Sequence, residues 1–211
     1  NKQGTLPVAT VDGNLILSPV ASVQEIDANE ILREGSSGLV YSTLFGGSNT
    51  DYGTSIVSGT GGVVYVFGET FSLDFPTTPG TIDKSFNDGD QDLFVVKLNP
   101  TGTAVKYATF VGGNSYEYAN DLTVDNSGSA FITGFTNSPN FPTTIGSFDT
   151  KFSGYDDAFV LKLNSTGSKI EYSTFLGGTD YEEGRGIEVD ASGSAYIGGI
   201  TAGGFPTTIG A

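Results

Sequence analysis

The stretch YSTFLGG, from Tyr172 to Gly178, decides the fold because it is the third copy of a string that the chain repeats. The earlier copies are YSTLFGG, from Tyr41 to Gly47, and YATFVGG, from Tyr107 to Gly113. The copies begin 66 and then 65 residues apart. A fixed period longer than about 20 residues indicates stacked, equivalent units. The sequence therefore predicts repeats of about 65 residues.

The agreement between units extends well beyond this string. DLFVVKLN (92–99) returns as DAFVLKLN (157–164), and GSAFITGFT (128–136) returns as GSAYIGGIT (193–201). The string FPTT begins at three positions: Phe75, Phe141 and Phe205. Because several strings recur in a fixed order, we expect each unit to form the same structure.

Each unit is predicted to contain four β-strands. In DAFVLKLN the apolar residues Phe159, Leu161 and Leu163 alternate with Val160 and Lys162, which is the period of a strand. KIEYSTFLGG forms the next strand, and its paired glycines permit a bulge or a positive φ where the chain leaves the sheet. RGIEVD and AYIGGIT form two more strands around the polar turn ASGS.

A longer segment follows the last of these strands, as in NSPNFPTTIGSFDTKFSGYDD (137–157). Pro142 cannot donate to a ladder, and Gly146 and Gly154 interrupt any strand, so we expect this segment to cross over to the next sheet. Four antiparallel strands, a longer link and four more strands are the pattern of propeller blades. The predicted fold is therefore all-β, with about three four-stranded antiparallel blades in an incomplete propeller over residues 28–211.

Residues 1–27 lie outside the repeat and are predicted to form an N-terminal extension, while 28–34 are a poor copy of the DAFVLKLN strand. The string GNLILSP (13–19) predicts an additional strand. Closed propellers typically have four to eight blades, so about three units would leave sheet edges exposed. A strand donated to a neighbouring copy would cover such an edge, and the alternative is a strand or tail packed on its own sheet. The candidate self-assembly residues are Asn14, Leu15, Ile16 and Leu17.

Composition excludes several classes of function. The 211 residues include no Cys, His, Met or Trp, which excludes thiol chemistry, imidazole bases and metal ligation by His or Cys. The net charge of −15 repels phosphate backbones and anionic lipids, so no nucleic-acid partner is expected. No apolar run approaches the roughly 18 residues of a membrane span, so we expect no membrane insertion. The missing initiator Met favours a processed, secreted chain or an excised piece.

Two short strings suggest ligands or modifications. NDGDQD (87–92) has the oxygen-rich, Gly-containing character of a calcium loop, with Asp88, Asp90 and Asp92 as candidate ligands. Its spacing differs from the EF-hand pattern, and the alternative is a polar connector without a metal. Calcium is the only cofactor that the sequence suggests. Asn164 begins NST, a glycosylation sequon on a predicted hairpin turn.

Carboxylates also follow each pair of glycines, at Asp51, Glu117 and Glu182. A glycosidase needs two carboxylates about 5 to 10 Å apart, whereas repetition spreads equivalent residues around a ring. The neighbouring tyrosines, Tyr52 and Tyr118, could stack on sugars, although tyrosines at strand ends more often serve packing. We therefore expect no catalytic residues and no enzyme activity.

The linked motifs DAFVxKLN, YSTxLGG, GIxVDxSGSAYxxG and FPTT resemble the SBBP repeat, a β-propeller repeat of bacterial and archaeal secreted and cell-surface proteins. The resemblance covers roughly Leu39 to Ala211, about four fifths of the chain. It implies a propeller fold and an extracellular or cell-surface location. It implies much less about activity, because such repeats are mostly scaffolds or binding modules and a fold does not fix a function.

Three functions compete on these grounds. We expect a non-catalytic structural or adhesive protein that self-associates into a cell-surface filament, tube or layer, which predicts concentration-dependent polymers. The alternative is a module that binds a glycan or a surface protein, alone or beside further blades of a longer secreted chain, which predicts saturable binding by a monomer. A glycan-active enzyme is the third, and it predicts loss of turnover when Asp51, Glu117 or Glu182 is changed.

Overall fold

The computed structural model describes residues 10–11, 14–17 and 41–209. These residues form β-strands and one 3₁₀ turn, Thr60–Gly62, so the prediction of an all-β fold is confirmed. No helix in the described ranges has the length and hydropathy needed to cross a membrane. The strands are β1 Thr10–Val11, β2 Asn14–Leu17, β3 Thr43–Phe45, β4 Asp51–Ser58, β5 Val64–Thr70, β6 Asp92–Leu98, β7 Val105–Val111, β8 Glu117–Val124, β9 Ala130–Thr136, β10 Asp157–Leu163, β11 Ile170–Leu176, β12 Glu182–Val189 and β13 Ala195–Thr201.

Within the described residues, all pairs of strands are antiparallel and form four sheets. Sheet A has the order β4-β5-β6-β7, and sheet B has the order β8-β9-β10-β11. Sheet C contains β12 and β13, and the N-terminal sheet has the order β1-β2-β3. Two four-stranded sheets are therefore present, whereas sheet C has two strands within the described residues. The predicted grouping of strands is wrong, because β10 and β11 belong to sheet B while β12 and β13 form sheet C.

The repeated strings occupy equivalent places. YATFVGG and YSTFLGG supply β7 and β11, the fourth strands of sheets A and B, and YSTLFGG supplies β3. The first strands also share their register, because Asp51 lies opposite Thr70 in sheet A as Glu117 lies opposite Thr136 in sheet B. Structural equivalence of the units follows directly from the sequence repeat.

The FPTT segment does not cross between sheets, so that prediction is wrong. It joins β9 to β10, which pair side by side in sheet B. The segment instead lies along the outer strand β11, where Thr144 N donates to Ser173 O and Phe175 N donates to Asp149 O, each at 3.0 Å. The chain moves to the next sheet through the short link after the paired glycines. The segment stays with its own sheet because it covers the backbone groups of an edge strand.

The paired glycines are needed for close approach, and the predicted positive φ is not observed at them. A Cβ on Gly113 would lie 2.4 Å from Ser138 Cβ, and one on Gly47 would lie 2.4 Å from Ser72 Cβ. Both distances are shorter than any real Cβ contact. Glycine is therefore required because a neighbouring serine occupies the space of a side chain.

The candidate self-assembly strand pairs within its own chain. Asn14–Leu17 form β2, which pairs with β3 through Leu15 opposite Phe45 and Leu17 opposite Thr43. On its other edge β2 pairs with the two-residue strand β1. Since β3 corresponds to the fourth strands β7 and β11, β2 occupies the third position of a sheet. The poorly matching stretch 28–34 lies outside the described residues.

The largest apolar cluster lies between sheets A and B. Tyr65, Phe67 and Val95 of sheet A belong to the same buried cluster as Ile132 and Leu161 of sheet B. Each of these side chains is 0% exposed, and full burial of one large apolar side chain stabilises the fold by roughly 1.5–3 kcal/mol. Packing of one sheet against the next therefore sets the positions of their loops and edges.

Candidate functional site

The outer edge of sheet C is the most unusual surface among the described residues. β5 and β9 occupy the second positions of sheets A and B and are paired on both edges, whereas among the described strands β13 pairs with β12 alone. Tyr196 on β13 is 60% exposed, whereas the equivalent Tyr65 and Phe131 are 0% exposed. Ile200, near the end of β13, is 39% exposed. β13 thus presents an edge that no other described strand pairs with, together with apolar side chains, which is a template for pairing with another strand.

An apolar groove of about 190 Å³ lies beside this edge, lined in part by Leu176, Ile197, Ile200 and Phe205. In sheets A and B the equivalent space is filled by an aromatic stack, because Phe75 lies 4.6 Å from Phe94 between ring centroids.

Phe141 and Phe159 repeat this stack at 4.6 Å. Phe75 and Phe141 are each 3% exposed, but Phe205, their equivalent, is 39% exposed. The groove is therefore the place where the third strand of a complete sheet would put its aromatic or aliphatic side chain.

Adjacent sheets are held in a fixed relation by the first strands. Asp121 Oδ1 accepts a hydrogen bond from Ser55 Oγ of sheet A at 3.0 Å, and Oδ2 accepts from Ile187 N of sheet C at 2.9 Å. A register shift in β8 leaves Asn120 unpaired in the ladder, and its Nδ2 donates to Gly184 O at 2.8 Å. One strand thus carries contacts to both neighbouring sheets, which fixes the angle at which sheet C presents its edge.

The three repeated carboxylates are interior groups. Asp51, Glu117 and Glu182 are all 0% exposed. Glu182 Oε2 accepts from Gly178 N at 2.7 Å and its Oε1 accepts from Thr201 Oγ1 at 3.0 Å, and the other two carboxylates have equivalent partners. These bonds tie the start of each first strand to the preceding glycine, which is a structural use of a carboxylate. The neighbouring Tyr52 and Tyr118 remain 50% and 41% exposed.

Sequence reasoning missed a second set of carboxylates that meets the first set between sheets. Asp92, at the start of β6, and Glu117 are both 0% exposed. A Cβ on Gly112 would lie 2.5 Å from Asp92 Oδ1 and 3.0 Å from Glu117 Oε2, so these oxygens approach the same point. Neither oxygen has a hydrogen-bond partner within the described residues. The Asp that begins both DLFV and DAFV was the available sequence signal for these carboxylates. Alternation alone indicates only that it lies at the boundary of a strand.

This environment raises the pKa of Asp92. Burial is the largest cause and the nearby charge of Glu117 adds to it, while the hydrogen bond from Asn87 N opposes both, which leaves a pKa of about 7. Burial also raises the pKa of Glu117. At the next junction the same causes, with Glu182 as the neighbouring charge, raise the pKa of Asp157 to about 6.

The predicted calcium residues do not face one common point. Asp88 and Asp90 are exposed, whereas Asp92 is buried and its Oδ2 accepts from Asn87 N at 2.7 Å. Within the part of the chain that the structure describes, no group of three or more acidic side chains could hold a metal ion. Calcium binding through Asp88, Asp90 and Asp92 stays a prediction.

Asn164 lies on the predicted turn between β10 and β11, where its Oδ1 accepts from Ser168 N at 2.9 Å and its Nδ2 donates to Ser168 Oγ at 3.1 Å. A glycan on Nδ2 would replace the second of these bonds. Glycosylation at Asn164 stays a prediction.

No family model matches the sequence, and no curated protein matches it significantly.

Proposed function

We propose that this chain is a non-catalytic structural or adhesive protein, located outside the cell or on its surface, that works by self-association of propeller-type blades. The observation that carries the proposal is the outer edge of β13, which pairs with no other described strand and has Tyr196 and Ile200 exposed along it. Natural sheets protect long apolar edges, so an unprotected edge indicates a surface that becomes covered. The resemblance to SBBP repeats supports the extracellular location.

The interior position of the repeated carboxylates supports the absence of catalysis. Asp51, Glu117 and Glu182 each bind a backbone N–H and a threonine hydroxyl inside the protein. A glycosidase carboxylate must instead reach a substrate from a cleft. If replacing Glu117 or Glu182 abolished a measurable turnover of glycans while leaving the fold intact, this part of the proposal would be wrong.

Electron microscopy and sedimentation of the purified chain over a range of concentrations test self-association. We expect polymers or closed oligomers whose proportion rises with protein concentration. The Ile200→Asp variant should reduce association, because a buried charge at the new interface is unfavourable. Ile145→Asp is the matched control, since Ile145 is fully exposed on the FPTT segment of sheet B. A monomer at every concentration would contradict the proposal.

A glycan- or protein-binding module is the second candidate, and one surface favours it. Tyr118 stacks on Phe135 with ring centroids 4.7 Å apart, and Tyr116 and Tyr181 lie edge-on to this pair at 5.8 and 5.7 Å. Exposed aromatic faces beside carboxylates and amides can bind sugars. Saturable binding of a glycan by a monomer, lost in Tyr118→Ala and kept in Tyr155→Ala, would support this candidate over self-association.

A further inference from the structure

The two ends of the described structure are complementary halves of one sheet. Complete sheets A and B contain four positions, and among the described strands of sheet C β12 and β13 fill the first and second of them. The N-terminal sheet carries β2 and β3, which correspond to the third and fourth positions. The pair of strands that one end lacks is therefore the pair that the other end supplies.

The register of β2 supports this assignment. Leu15 lies opposite Phe45 as Ala158 lies opposite Leu176 in sheet B. The next two pairs along β2 match in the same way, with Ile16 opposite Leu44 and Leu17 opposite Thr43. Their counterparts in sheet B are Phe159 opposite Phe175 and Val160 opposite Thr174. Asn14–Leu17 thus take the places of Asp157–Val160.

The same comparison defines how β2 would meet β13. In sheet B, Ala158 of β10 lies opposite Phe135 of β9, and Val160 lies opposite Thr133. Transferred to the two open halves, this register puts Leu15 opposite Ile200 and Leu17 opposite Gly198. It also puts Ile16 in the place of Phe159.

Phe159 is the residue that stacks with Phe141. Phe205, the equivalent of Phe141, is 39% exposed beside the apolar groove. The register therefore places β2 where the complete sheets hold the aromatic partner of this phenylalanine. One additional strand beside β13 would therefore both fill the groove and pair with the edge that no other described strand covers.

β1 currently occupies the edge of β2 that β13 would use. It contributes two residues, and its pairs are Thr10 opposite Leu15 and Val11 opposite Asn14. β13 has seven residues, as do β5 and β9 in the complete sheets. A longer strand with an apolar face forms a more stable pair than a two-residue hairpin arm, so β13 can displace β1.

We propose that β13 of one copy pairs with β2 of a second copy, so that β12-β13 and β2-β3 together complete a four-stranded sheet across the two chains. This deepens the proposed function by naming the partner and the strands. The register of β2 against β3 is that of a third strand against a fourth, so β2 of a second copy fits beside β13. The two copies would form either a ring or a continuing filament.

Cysteine cross-linking tests this pairing directly, because the chain has no cysteine of its own. One preparation carries Leu15→Cys, another carries Ile200→Cys, and the two are mixed and oxidised. Residues directly opposite on antiparallel strands have Cβ atoms about 4.5–5.5 Å apart, close to disulfide geometry. We expect a covalent dimer in the mixture, and only there in high yield.

The matched control replaces Ile200→Cys by Tyr196→Cys. Tyr196 is also exposed on β13 but lies four residues away, which is about 13 Å along a strand and too far for a disulfide. Equal cross-linking of both mixtures, or association without cross-linking in either, would overturn the split-sheet inference while leaving self-association intact. A specific cross-link in a particle of two copies would support the inference and exclude the filament. A monomer without cross-links would overturn both.

Discussion

The carboxyl groups of Asp92 and Glu117 meet at the junction of sheets A and B, where Asp92 Oδ1 and Glu117 Oε2 approach the same point beside Gly112. Both residues are 0% exposed and belong to different sheets. Burial, with a smaller contribution from the negative charge of Glu117, raises the pKa of Asp92 and so favours its protonated form. The junction is therefore sensitive to the proton that Asp92 holds.

The first prediction concerns pH. The pKa of Asp92 is about 7 in the folded protein, against 3.8 for an ordinary Asp. A raised folded pKa means that the folded state binds more protons than the unfolded state between these values. Protonated Asp92 therefore contributes up to about 4 kcal/mol to the free energy of unfolding. This contribution is fully present below about pH 4 and is lost as the pH rises through about 7.

Chemical denaturation of the wild type and of Asp92→Asn between pH 4 and 8 measures this effect. The amide cannot ionise and can donate to Glu117, so the variant should lose less stability over this pH range. Asp180→Asn, at an exposed position, is the control and should follow the wild type. Parallel pH profiles for wild type and Asp92→Asn would contradict the prediction.

The second prediction concerns Asp121, which accepts hydrogen bonds from Ser55 and Ile187 of the two neighbouring sheets. Asp121→Asn replaces one acceptor oxygen by a donor and removes the charge. We expect a loss of about 1–3 kcal/mol in the free energy of unfolding, because hydrogen bonds to a charged group contribute about that much. Urea denaturation beside Asp180→Asn measures it, and equal stability of the two variants would show that Asp121 is dispensable.

The third prediction concerns close packing at Gly113. In Gly113→Ala the new Cβ would meet Ser138 Cβ at 2.4 Å, so the link or the serine must move. Forced overpacking of this kind costs about 1–3 kcal/mol. Gly186→Ala is the matched control, since the nearest atom to its Cβ would lie 3.9 Å away. Thermal unfolding should separate the two, and a normal melting temperature for Gly113→Ala would refute the close-approach explanation.

The fourth prediction contrasts two equivalent phenylalanines. Phe141 is 3% exposed and stacks on Phe159, so Phe141→Ala should cost about 3–5 kcal/mol. Phe205 is 39% exposed, and Phe205→Ala should cost the monomer well under half of that. At high protein concentration Phe205→Ala should also weaken association. Similar losses for both variants at low concentration would mean that Phe205 is already covered.

The fifth prediction concerns calcium at Asp88, Asp90 and Asp92. If the loop binds calcium, calorimetric titration should show heat and the melting temperature should rise, and both effects should disappear in Asp88→Asn with Asp90→Asn. Asp180→Asn should keep them. No heat and an unchanged melting temperature in the wild type would remove this site.

The repeat predicted the strands well because the residues of each string alternate with the two-residue period of a β-strand. The string DAFVLKLN was predicted to be a strand from its alternation, and it forms β10, Asp157–Leu163. Which strands share a sheet was not predictable from alternation. The segment containing Phe141 looks like a crossover by its length, but its hydrogen bonds to β11 keep it with its own sheet. The period alone does not say at which strand a sheet begins.

The candidate surfaces were predicted less completely, because they depend on contacts between units. The sequence identified the strand Asn14–Leu17 and the equivalence of Asp51, Glu117 and Glu182. It did not reveal that Asp92 meets Glu117, since residues 25 positions apart and on different sheets give no local pattern. The exposure of Phe205 likewise follows from a strand that sheet C lacks within the described residues, and not from its own motif.

The short links that begin with the paired glycines have a consequence for how such chains change over time. Five residues, 112–116, lead from β7 to β8, and five residues, 177–181, lead from β11 to β12. Gain or loss of a whole unit at these links would preserve every internal loop and the distance to the next sheet. Duplication can therefore lengthen the array one step at a time without redesigning any junction.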